Sequence, residues 1–64
     1  MNKHKVVIVD RDNVRWAYEG RMGDIPIYVK EDEAVPKMMS WKEAKEEYDK
    51  HNDPDELILI TENS

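Results

Sequence analysis

Carboxylates are the commonest reactive groups in this 64-residue chain, with fifteen Asp and Glu against ten Lys and Arg, two His and no Cys. Two arrangements of them could carry chemistry. His4 and His51, with Asp53, Asp55 and Glu56, are metal-ligand types. Their spacing gives neither a zinc signature nor a calcium loop, which needs acids or amides at alternate positions, a central Gly and a terminal Glu. His51 instead falls in the last turn of a predicted helix, where a cation is favourable. Asp10 and Asp12, the second arrangement, follow the apolar run Val6 to Val9 at the end of a predicted strand. With no Cys, and Ser only at Ser40 and Ser64, neither a thiolate site nor a Ser/His/Asp set can be assembled. We expect no metal, no cofactor and no catalytic residues.

The stretch Val6-Val7-Ile8-Val9-Asp10-Arg11-Asp12-Asn13-Val14 is similar to the first signature of haloacid-dehalogenase-like phosphotransferases, a strand ending in Asp-x-Asp-x-Thr/Val. That resemblance implies one Asp as nucleophile and the other as proton carrier beside Mg²⁺. The same chemistry needs a distant lysine and a further carboxylate pair on a much larger α/β core, which this chain does not provide. The expected reading is a polar turn after a strand, because Asp and Asn side chains bond to nearby backbone groups.

Arg11, Arg15, Trp16, Tyr18, Arg21 and Tyr28 combine cations with aromatic rings, the ingredients of a single-strand nucleic-acid platform. Alternation argues against it. Val14, Trp16 and Tyr18 share one face, the natural core face, while Arg15 points away with Ala17 and Glu19. A small nucleic-acid-binding module on this hairpin stays as the alternative from a second class.

Charge is unevenly spread. Residues 1–30 hold six Lys/Arg against four Asp/Glu, a balance of +2, and residues 31–64 hold four against eleven, a balance of −7, together giving the net −5. The excess lies in two flanks of the predicted helix: Glu31, Asp32 and Glu33 before it, and Asp53, Asp55 and Glu56 after it. At ~1.5 Å per residue the helix would hold those clusters about 18 Å apart, with Glu43, Glu46 and Glu47 between them as one acidic strip. Such a strip repels nucleic acid and anionic membranes and attracts basic partners.

The elements that must position these groups follow from pattern. Lys5 to Val9 is β-branched and continuously apolar, as in an interior strand. Val14 to Glu19 and Ile25 to Val29 alternate with period two, separated by a turn bracketed by Gly20 and Gly23. Pro26, lacking a donor, marks the third strand as an edge that a second copy could pair with. Ser40 and Glu43 have capping-box spacing, which starts a helix. Trp41, Ala44 and Tyr48 form its sheet-facing stripe, with Glu43, Glu46, Glu47 and Asp49 turned to water, and Asn52 and Pro54 stop it. Leu57 to Thr61 is a fourth strand. The prediction is a single α+β domain over residues 1–64, ordered β-β-β-α-β, with the first three strands as an antiparallel meander, a C-terminal fourth strand, and one helix across one sheet face. If the third and fourth strands are joined by a crossover in that sheet, they should run parallel.

A chain this short buries about 60% of its unfolded surface, so the core must be small. The absence of Cys suits a reducing cytoplasm, and no apolar run is long enough to cross a bilayer. In size, charge and general layout the chain resembles the small, acidic, cysteine-free host-takeover proteins made early by tailed phages. That group includes DNA mimics directed at histone-like HU proteins, which are nucleoid-associated, and inhibitors of RNA polymerase. The resemblance implies a protein without chemistry of its own, which inhibits by occupying a basic host surface. The expected partner is a basic, HU-like DNA-binding protein of the host cytoplasm, with RNA polymerase or another host enzyme as the alternative target. Neither nucleic acid nor membrane is expected to bind directly. The residues expected to meet that partner are Glu31, Asp32, Glu33, Glu43, Glu46, Glu47, Asp53, Asp55 and Glu56.

Overall fold

The computed structural model describes residues 3–63 and contains β1 (Lys3–Val9), β2 (Arg15–Met22), β3 (Ile25–Lys30), α1 (Trp41–Lys50) and β4 (Leu57–Asn63). The four strands form one sheet in the order β3-β2-β1-β4, and every neighbouring pair is antiparallel. The expected α+β order is therefore present. The run Val6-Val7 is interior as expected, with both side chains at 0% exposure on opposite faces of the central strand.

Two turns close the strands. Between β1 and β2, Asp10 N–H donates to the Val14 carbonyl and Asn13 takes a left-handed φ of 65°. This is the three-residue hairpin in which Asn tolerates the residue of positive φ. Between β2 and β3 the loop is only Gly23-Asp24, with Gly23 at φ 63°. Gly20 thus lies inside β2 and not in the turn. It follows a β-bulge: Tyr18 pairs with Tyr28 but Gly20 with Ile27, so Glu19 is an extra residue. The bulge reverses the alternation beyond it. Arg21 pairs with Pro26 and so shares the face of Trp16, Tyr18 and Tyr28.

The connection from β3 to α1 corrects the expectation of parallel strands. β3 and β4 lie on opposite edges and, three antiparallel steps apart, run in opposite directions. The physical reason is that the segment after β3 returns along the sheet before the helix begins. Below the Val7–Ala17 pair, β1 and β2 part. Residues 37–39 fill the opening: Lys37 N–H donates to the Tyr18 carbonyl (2.9 Å), and Met39 and His4 exchange both backbone bonds at 2.8 Å. The helix then climbs back, so β4 must descend.

Ser40 caps α1 by accepting from Glu43 N–H at 3.2 Å. The helix lies against β1 and β4. Val6, Tyr18, Met39 and Ala44 form the core beneath it, with Tyr28, Ile58 and Ile60 packed alongside. Its orientation is rolled relative to the expected stripe. Ala44 is fully buried, but Trp41 and Tyr48 are 56% and 39% exposed and overhang the β4 edge. Glu47, expected in water, is turned inward with its side chain only 10% exposed. A sheet of four strands under a ten-residue helix offers room for one small apolar residue at the crossing point, and the rings settle at the rim.

Candidate interaction surface

The sheet has two unlike ends. One, the hairpin end, carries the Gly23-Asp24 turn with Lys3 and Asn63. The other gathers three chain segments: the β1–β2 turn with Asp10 and Asp12, the end of β3 with Glu31, Asp32 and Glu33, and the approach to β4 with Asp53, Asp55 and Glu56. Register fixes this, because Lys30, Trp16, Ile8 and Ile58 form one row across the strands. The two flanking clusters are thus not held apart by the helix. They share one end of the sheet, on strands three spacings or ~14 Å apart, with the Asp10/Asp12 turn between them.

Within this end the acids differ. Asp10 is a structural cap: Oδ1 accepts from Asp12 N–H and Val14 N–H, and Oδ2 from Trp16 Nε1–H, all at 2.9 Å. The Trp16 bond, then the backbone bonds, hold its carboxyl below the usual range. The similarity to a phosphotransferase signature therefore falls on a turn whose first Asp has both oxygens engaged. Glu31 is bound by Arg15 Nε (2.8 Å) and lies 3.5 Å from Lys5 Nζ, on the face away from the helix. The Arg15 bond lowers its pKa. Glu56 is half-buried, 3.4 Å from His51 Nε2. Asp55 meets Arg11 at 2.7 Å, but both side chains are well exposed, an arrangement that contributes little to stability. Among the described residues Asp12, Asp32, Glu33 and Asp53 are exposed and outside every ion pair.

The remaining expected residues lie elsewhere. Glu43 and Glu46 are exposed on the helix, beside Lys37 and Lys50. Glu47 accepts two bonds from Arg21 Nη1, at 2.6 and 2.9 Å, and faces Lys50 at 3.6 Å. Burial raises its pKa, but the bonds from Tyr18 and Arg21 and the charges of Arg21 and Lys50 outweigh it, leaving the group lowered. Tyr18 beside it is pushed up to about 12, by burial first and then by Glu47. Glu47 and Glu31 are therefore internal counterions. Asp12 joins the exposed set instead; the signal for it was its place at the end of the central strand, which becomes informative only once strand order is known.

The cations and rings of the hairpin do not gather on one exposed face. Tyr18 is 2% exposed, Trp16 is tied to Asp10, Arg15 lies on the other face, and Arg21 is held by Glu47. His4 and His51 sit at opposite ends of the sheet, and among the described residues no three His, Asp or Glu are grouped to hold a metal. No helix among them is long and apolar enough to cross a membrane. No protein-family model, curated protein or solved structure matches the chain.

Proposed function

We propose that this chain is an acidic interaction protein that docks the carboxylate-rich end of its sheet on the cationic groove of a nucleic-acid-binding protein, of the HU-like kind, and keeps nucleic acid out of it. The observation that supports this reading is the convergence at one sheet end of exposed acids from three separate segments: Asp12, the pair Asp32 and Glu33, and Asp53. Strands ~4.8 Å apart set these groups over ~14 Å. One DNA strand presents about four phosphates over that length, at ~3.4 Å each. A fixed display of charges needs no ordering of long side chains by the partner, which favours competition with a polyanion.

Displacement tests it. A basic DNA-binding protein loaded with duplex DNA is titrated with the chain, and free DNA is followed by gel mobility. Release is expected with the unaltered protein and loss of release with D12K/D32K/E33K, whose positions are exposed. Direct retardation of nucleic acid by this chain, or undiminished release by the triple variant, would overturn the proposal.

A further inference from the structure

The backbone pattern of β1 determines what β4 offers at its outer side. His4 exchanges both hydrogen bonds with Met39, and Asp10 N–H points to Val14, so the even-numbered residues of β1 direct their peptide groups toward the β2 side. The odd-numbered Lys5, Val7 and Val9 face β4, where Thr61, Leu59 and Leu57 meet them. Ile58, Ile60 and Glu62 must therefore turn their N–H and C=O groups outward, along a free edge.

This edge lacks two of the usual protections, a Pro and a bulge. β4 pairs with β1 over seven consecutive residues without a bulge and contains no Pro, whereas β3, the other edge, has both Pro26 and a bulge opposite it. Natural edges are blunted by such devices because an open strand templates further pairing. Beside the free edge, Trp41, Lys45 and Tyr48 with Ile58 and Ile60 line an open groove of about 450 Å³.

We propose that β4 pairs antiparallel with β4 of a second copy of this chain, about a two-fold axis at Ile60, making one eight-stranded sheet. The register is self-complementary. The three outward residues are centred on Ile60, so Ile60 meets Ile60 and each Ile58 meets the Glu62 of the other copy, with no edge group of the three left over. The charges agree with it. His4 stacks edge-on against Trp41 at 5.7 Å and pairs with Glu62, which places the helix start beside Glu62 and its later turns beside Ile58. Glu62 of one copy therefore arrives beside Tyr48 and Lys45 of the other, where it shares the Lys45 cation with Asp49, 2.6 Å from Lys45 Nζ in the same helix. A register centred on Leu59 would instead oppose Glu62 with Glu56, two like charges, and is disfavoured. This surface is independent of the carboxylate-rich end.

Light scattering after size exclusion, from about 10 µM to about 1 mM, tests association, which is concentration-dependent. A mass of about 15 kDa, twice the 7.6 kDa of the chain, is expected at the upper end. The amides of Ile58, Ile60 and Glu62 should exchange more slowly there. E62K, at an exposed position, should weaken association at least about tenfold by setting two cations together, and E62K/K45E should restore it. A 7.6 kDa mass at every concentration, or dimerisation of E62K as tight as that of the unaltered chain, would overturn the proposal.

Discussion

Glu47 changes its surroundings more on folding than any other acid of the helix. Its carboxylate leaves water for a site beside Tyr18, Arg21 and Lys50. Because its folded pKa lies below the ordinary 4.5, the unfolded chain binds more protons as the solution is acidified. The stabilisation is therefore complete above about pH 4.5 and is lost as pH falls through the folded value. E47Q should lower the urea midpoint at pH 7 and flatten the fall in stability between about pH 5 and pH 2, as measured by urea unfolding across that range. An acid limb as steep as that of the unaltered protein would mean that Asp10 and Glu31, also lowered, carry the whole dependence. The Arg21 that holds Glu47 was legible in the sequence only as a hairpin cation. Simple alternation puts it on the wrong face, and a single extra residue at Glu19 corrects that.

At the scale of elements, the segment after β3 does more than connect. Met39 is a core residue at 3% exposure and its backbone is the rung that closes the gap between β1 and β2 at His4. M39A should cost on the order of 2–5 kcal/mol through the cavity it leaves, comparable with the whole stability of about 5 kcal/mol expected at the low end for a small domain. Thermal unfolding followed by circular dichroism reads this directly; a transition displaced by only a degree or two would place the core elsewhere. Strand and helix positions were readable because β-branched runs, the Ser40 cap and Pro54 act locally. The antiparallel meander of the first three strands was readable too, but the place of β4 was not, since it depends on where residues 31–39 travel, and neither composition nor period encodes a return path. The roll of α1 escaped for a related reason: Trp41, Ala44 and Tyr48 do share a helical face, but the strand order sets how far the sheet extends beneath it.

For the whole molecule, the net charge of −5 is less telling than its placement. Two of the nine acids predicted as one strip, Glu31 and Glu47, are neutralised internally by Arg15, Lys5, Arg21 and Lys50, while a compact set of exposed acids collects at one end. Of the nine residues expected to form the site, Asp32, Glu33 and Asp53 retain the clearest claim. An interaction carried by such exposed groups is screened over about 8 Å at physiological ionic strength. Raising salt from about 50 to about 200 mM should weaken partner binding severalfold, and D32K/E33K should reduce that dependence. Titration calorimetry at the two salts would show it, and a salt-insensitive affinity would place the contact on an apolar surface. The register of β1 with β4 has a practical side. Lys3, at the start of the interior strand β1, stands across from Asn63, at the end of the edge strand β4, so both lie at the hairpin end. A tether fused beside Lys3 or Asn63 would start from the pole opposite the carboxylate-rich end, and protein anchored to a sensor chip in that way would present its anionic tip to whatever flows past.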